Sequence, residues 1–330
     1  MRRCLRGRPR VLLLMLVVVV PPMLGACSSD DPGPVAESPR GSSSTPAPVT
    51  SGPTDPTSAT VGSEGKRPLR VATALDAIEH LAGSIGPRHA TSPAFARAAR
   101  WLDHRLRQAG YAVRLQEFPV PGGTSWGVPV SAGRSVNVVA TPRGFDARRP
   151  HLVVGAHLDT VPQSPGAEDD ASGIGVLLMV ADVLSGRRST SRLPVVFVGF
   201  GGEEPRGPTD ADHHYGSRAY VSAMRPAERR AVRGMLALDR VGVGDVVPVC
   251  TAGDGAAQAE VLRAARRSRI PVERCENTSS DHASFVEQGM PGVRVGGTSY
   301  AAYHSPADLP SVVDRAQLRR TARLVLAWLR

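Results

Sequence analysis

The chain has 330 residues, 41% of them hydrophobic, enough for a substantial core and for one large domain or two. Its formal charge of +10 suggests nucleic acid until the arginines of the first ten residues are set aside as part of an export signal, since 40 − 5 leaves 35 basic against 30 acidic residues. A remaining +5, with Lys66 the only lysine, argues against a phosphate-binding surface, so no nucleic-acid partner is expected.

Met1 to Arg10 is arginine-rich, Val11 to Val20 is purely apolar, and Leu24-Gly25-Ala26-Cys27 ends in small residues before a cysteine. This is the pattern of a bacterial lipoprotein signal cleaved before Cys27, which would then carry lipid and hold the protein at the outer face of the cell membrane. The alternative is an uncleaved anchor, for which the apolar run is short against the about 20 residues of a span. From Ser28 to Pro68 the chain is Ser, Thr, Pro and Gly with few large apolar residues, too few to bury a core, and reads as a tether reaching on the order of 35 Å. The expected organisation is therefore signal over 1–26, tether over 27–68 and a folded domain over 69–330. Only Cys250 and Cys275 remain in that domain. In an oxidising compartment they are a candidate disulfide, with two separate buried thiols as the alternative.

Helical spacing runs over Ala72–Ile85, and Ser92-Pro93 opens a second helix that Gly110 stops. Tyr111–Val120 reads as an edge strand and Ser135–Thr141 as another. Arginines in this part read as solvated. His151–Ala156 is apolar on both faces, as in a strand inside a parallel sheet, and ends at His157-Leu158-Asp159. A loop with Glu168-Asp169-Asp170 follows, then a helix, Ile174–Leu184, that is apolar nearly all round. Leu193–Phe200 repeats the strand pattern and ends in Gly201-Gly202-Glu203-Glu204, and Met235–Leu238 ends in Asp239-Arg240. His213 and His214, in the loop between, read as surface residues. Further strands near Val246–Thr251, Val272 and Val293–Val295 alternate with helices near Ala256–Arg267, Ala283–Gln288 and Val312–Leu329, and Tyr303-His304 precedes the last of them. The expected fold is one α/β domain with a central mixed, largely parallel sheet flanked by helices on both faces.

Three strand ends thus deliver His157, Glu203 with Glu204, and Asp239. A solvated acidic loop and a zinc site are both open on residue type alone. Ser280-Asp281-His282 offers no serine-hydrolase triad, because triad partners meet through the fold rather than along the chain.

Taken together from Ala72 onward, these residues resemble the di-zinc aminopeptidases of metallopeptidase family twenty-eight. The resemblance includes Gly86-Pro87-Arg88, the Val136–Ala140 strand and each metal motif in order. It implies the zinc-exopeptidase fold, peptide substrates with a free N-terminus, a monomer, and two zinc ions held by His157, Asp239 and Asp169 and by Glu204, His304 and Asp169. It further implies Glu203 as general base, Tyr303 as a partner of the substrate carbonyl, Asp159 and Asp308 as orienters of His157 and His304, and a cis peptide between Asp169 and Asp170. A same-fold carboxypeptidase or glutaminyl cyclase, or a non-catalytic binding module, is the alternative. Arg240 departs from the family, where an apolar residue is usual. It is expected to pair with a carboxylate and leave an apolar pocket, the other outcome being a charged pocket for polar or acidic first residues.

Overall fold

The computed structural model describes residues 67–186 and 190–330, so the export signal, Cys27 and nearly all of the tether lie outside the described residues. Helix α1 (Val71–Ile78) continues as a wider turn to Ile85. Helix α2 (Pro93–Gln108) starts where its cap does: Ser92 Oγ accepts the Phe95 N–H at 3.0 Å, with proline in the first turn.

The edge strand β1 (Ala112–Val120) is followed by a small hairpin, β2 (Gly123–Ser125) with β3 (Val128–Val130), and then by β4 (Gly133–Thr141) and β5 (His151–His157). Three-residue strands are too short to leave an alternating pattern, which is why the hairpin goes unread in the sequence. Beyond β5 come α3 (Ser172–Leu184), β6 (Val195–Phe200), α4 (Tyr215–Ser222), α5 (Pro226–Ala231) and β7 (Val232–Leu238). The chain closes with β8 (Val247–Thr251), α6 (Ala256–Ser268), β9 (Val272–Glu276), α7 (His282–Val286), β10 (Gly292–Val295) and α8 (Arg315–Leu329).

One eight-stranded mixed sheet has the order β1-β4-β6-β5-β7-β10-β8-β9. Its centre is parallel: β5 pairs in parallel with both β6 and β7, and β7 with β10. Every residue of β5 and β6 is buried. Leu152, Val154 and Ala156 face the larger apolar cluster with α1, α2, α3, α6 and α8, whereas Val153, Val196, Val198 and Phe200 face the smaller one with Tyr220 of α4 and Phe285 of α7. Layers on both sides explain why these strands are apolar throughout rather than alternating. Parallel strands also share their carboxyl ends, so His157, Gly201–Glu204 and Asp239 emerge along one edge, where chemistry in open α/β sheets is placed. Among the described residues, no helix is long and apolar enough to cross a membrane.

Cys250 and Cys275 are register partners on β8 and β9 and are bonded as a disulfide. Because this bond closes a loop of 25 residues, replacing both cysteines by serine is expected to lower stability by about 3 kcal/mol. Denaturant unfolding of parent and variant measures it, and coincident midpoints would show the bond to be energetically idle.

Candidate metal centre

Gly202 turns β6 into the site with φ +66, a conformation glycine adopts without steric cost, and Glu203 and Glu204 follow directly. Their backbone N–H groups donate to the two carboxylate oxygens of Asp159, at 3.1 and 3.2 Å. Asp159 therefore stitches the end of β5 to the end of β6. It does not orient His157 through its carboxylate, which lies 4.0 Å from Nδ1. The backbone carbonyl of Asp159 does so instead, 3.1 Å from Nδ1, and leaves Nε2 facing the cavity.

Asp169 is the centre of the cluster. Its Oδ1 lies 2.9 Å from His157 Nε2 and its Oδ2 lies 3.1 Å from His304 Nε2. The Asp169–Asp170 peptide is cis. Asp170 faces the other way, accepting the N–H groups of His157, Gly173 and Arg240. Glu204 Oε1 sits 3.4 Å from His304 Nε2, is buried, and has no hydrogen-bond partner. Ligand atoms of His157, Asp169 and Glu204 all lie within 4.8 Å of one another. Asp239 lines the same cavity, about 90 Å³ in volume, but its Oδ1 already receives Arg294 Nη2 at 2.9 Å and Arg240 Nε at 3.4 Å.

Asp308 does not reach His304 as the resemblance implied. It accepts the N–H groups of Glu168 and Asp169, at 2.8 and 3.2 Å, and the Tyr300 hydroxyl at 2.9 Å, so it holds the Asp169 loop rather than the histidine. His304 Nδ1 is buried without a partner. Tyr303 stacks on the His304 ring with centroids 3.7 Å apart, and Trp126, from the unread hairpin, meets that ring edge-on at 4.3 Å.

Electrostatics follow from the crowding. Burial opposes protonation of His157 and His304, but the carboxylates outweigh it: Glu203 and Asp170 hold His157 well above the ordinary imidazole range, and Glu204 with Asp169 raises His304 to about 10. Burial lifts Glu204 to about 7. Glu203 is also pushed up by burial, yet His157 and His214 outweigh this and bring it down to about 2. A buried knot of four carboxylates and two imidazoles, with an unpartnered carboxylate oxygen, is a donor set suited to divalent ions of the zinc class.

Several neighbours were misread or missed. His214 is buried, not a surface residue: Nε2 lies 3.2 Å from Glu203 Oε1 and its backbone N–H donates to the Glu203 carbonyl, while His213 is partly exposed at the rim. Arg88 is fully buried rather than solvated, and donates to the carbonyls of Leu158, Pro165 and Gly166. Glu168 accepts the N–H groups of Gly242 and Val243. Arg294 is 1% exposed, and a charged residue inside the apolar Gly292–Val295 strand was the available signal for it. Asp281 and His282 are buried, but His282 Nε2 meets only the Asn277 carbonyl, so no triad is assembled.

Comparison with known proteins agrees with this geometry. The chain is 25% identical to the protein YfbL of Escherichia coli over 283 residues, 72% of this chain and 83% of that one. It is 28% identical to aminopeptidase YwaD of Bacillus subtilis over 208 residues, 58% of this chain but only 44% of the relative. Its fold matches that of a zinc aminopeptidase from Bacillus subtilis with a TM-score of 0.69 and 18% identity, covering 79% of this chain and 94% of that structure. A family model, Peptidase family M28, matches residues 137–329, a span that holds all five candidate ligands and more than half of the sequence. With His157, Asp169, Glu204, Asp239 and His304 gathered at the strand ends inside that span, this chain belongs to peptidase family M28.

Proposed function

We propose that the protein is a zinc-dependent aminopeptidase that removes the N-terminal residue of peptides using two zinc ions. The observation that carries the reading is Asp169, whose two oxygens each face a different histidine across the cavity, as a carboxylate shared between two ions must. His157 and Asp239 complete one donor set with Asp169; Glu204 and His304 complete the other. Zinc bound there would supply Lewis-acid polarisation and make water acidic enough to attack near neutral pH.

The chain's own groups do the rest. Glu203 does not belong to either donor set; its carboxylate takes the proton of the attacking water and returns it to the departing amine. His214 holds Glu203 from the rear through both backbone and ring. The hydroxyl of Tyr303, on a residue 38% exposed at the mouth, is the group available to the substrate carbonyl oxygen. A small cavity lined by acids suits a chain end with a free ammonium rather than the middle of a peptide. We further propose that residues 27–68 tether this domain to the outer face of the membrane through lipid on Cys27. The unit that works is the single domain over 69–330, as a monomer.

Metal uptake has a calculable pH dependence. His304 must lose the proton it keeps up to about 10 and Glu204 the one it keeps up to about 7, so binding releases protons and apparent zinc affinity rises with pH up to about 10, more steeply below about 7 than above it. Calorimetry in buffers of different ionisation enthalpy checks this, and elemental analysis should find two zinc ions per chain. One ion per active chain, or pH-independent affinity, would refute the two-site assignment.

Glu203→Gln is expected to keep metal while losing roughly 10²–10⁴-fold in kcat. Glu204→Ala is expected to lose metal as well. Equal metal content in the two variants would reverse the roles. For the anchor, Cys27→Ser should shift the protein from the membrane fraction to the soluble one, and unchanged partitioning would favour a retained apolar anchor.

A further inference from the structure

The expectation for Arg240 was an ion pair that leaves an apolar pocket, and the structure supports only half of it. Arg240 does approach Asp239, with Nε 3.4 Å from Oδ1, but it stays on the cavity wall. Its backbone is fixed there: φ is +55, the N–H donates to Asp170 Oδ1 at 3.2 Å, and the carbonyl accepts the Gly297 N–H at 3.0 Å. The guanidinium lies over the Tyr303 ring, 4.5 Å from its centroid, on the residue that stacks on His304. Only 15% of the side chain is exposed.

Two further observations say what this cation faces. Asp239 Oδ1 is already occupied by the deeper Arg294 at 2.9 Å, so one carboxylate oxygen is shared by two guanidinium groups and meets Arg240 only at Nε. Among the described residues, neither Nη1 nor Nη2 of Arg240 makes a hydrogen bond; only Nε does. The cavity wall contains no Leu, Ile, Val or Met side chain: beyond the acids and histidines it is Trp126, Pro205, Arg240, Ser279 and Tyr303. A leucine side chain placed against Arg240 would bury a guanidinium with two unpaired nitrogens, which is costly. A carboxylate would satisfy both nitrogens at once in the paired geometry guanidinium offers.

We propose that Arg240 makes this enzyme selective for peptides whose N-terminal residue is glutamate or aspartate, the side-chain carboxylate being held by the free Nη atoms of Arg240. The proposal rests on the aminopeptidase reading and adds the substrate class. The same chemistry is present in the C-terminal carboxylate of a dipeptide, and the test separates the two sources.

The zinc-loaded protein is assayed on glutamyl, aspartyl, glutaminyl and leucyl 4-nitroanilides, and on Leu-Gly against Leu-Gly-amide, beside Arg240→Met and Arg240→Lys. Glutamyl should exceed the near-isosteric glutaminyl substrate in kcat/KM by about 10–100-fold in the parent. That ratio should collapse toward one in Arg240→Met and be intermediate in Arg240→Lys, which keeps the charge without the fork. As a readout independent of turnover, free L-glutamate should raise the thermal midpoint of the parent more than L-leucine at equal concentration, and lose that advantage in Arg240→Met. A parent that prefers leucyl, or a glutamyl-to-glutaminyl ratio unmoved by Arg240→Met, overturns the proposal while leaving the aminopeptidase intact. Loss confined to Leu-Gly relative to its amide overturns it too, by moving the carboxylate to the peptide's other end. Cleavage of none of the substrates fails the aminopeptidase reading itself, and the substrate class falls with it.

Discussion

Everything at this sheet edge answers to one constraint: four carboxylates that face a single buried cavity repel one another and must be held apart in fixed positions until cations arrive. Asp169, Glu203, Glu204 and Asp239 all line about 90 Å³ of space. In so little water, each like-charge pair is worth kilocalories rather than tenths. A chain that merely collapsed around them would push them back into solvent.

The fold resists this with a second set of carboxylates that turn away from the cavity and act as staples between loops. Asp159 ties β5 to the N–H groups of Glu203 and Glu204. Asp170 ties the Asp169 loop to His157 and Arg240, Glu168 ties it to Gly242 and Val243, and Asp308 ties Glu168 and Asp169 to the His304 segment. Each is a buried carboxylate that accepts donated backbone N–H groups and needs no mobile partner, although burial still raises all four above the ordinary carboxylate range, Glu168 to about 8. Two buried arginines supply the balancing charge. Arg88 sits beneath the loop on five backbone carbonyls with Asp159, Asp170, Asp308 and Asp169 close enough to feel its charge, though burial still lowers it to about 10; Arg294 holds Asp239 directly. The site is thus preorganised by groups that never touch a substrate.

The same constraint explains the departure at Arg240. A position that follows Asp239 and borders this cavity lies beside negative charge, and Asp239 and Asp169 hold the Arg240 guanidinium more firmly protonated than usual despite its burial. An arginine is tolerated there because the field is acidic. Its Nε is the guanidinium nitrogen that meets Asp239, which leaves the outer two without a hydrogen bond among the described residues. Trp126, from the β2–β3 hairpin, and the buried His214 complete the lining of the cavity.

By itself the sequence determined what is local and periodic. Strands buried on both faces announced a sandwiched parallel sheet, and acids placed immediately after such strands announced the cavity, because strand ends in a parallel sheet converge whatever the rest of the fold does. His157, Glu203, Glu204 and Asp239 were legible for that reason, whereas Asp169, in a loop, and His304, in a turn, took their roles from the family resemblance. Only the tertiary structure decided what depends on contacts between residues far apart in the chain. Arg88 looked solvated because its partners Leu158 and Pro165 lie 70 and 77 positions away. Asp159 and Asp308 looked like orienters of their nearest histidines, yet each found its partners among backbone N–H groups, which every residue but proline carries and which therefore leave no mark in sequence. His214 and Arg240 were ambiguous for the converse reason: a polar side chain advertises a need for partners but not which ones, and burial, fixed by the packing of α4 and β7 against their neighbours, made the choice.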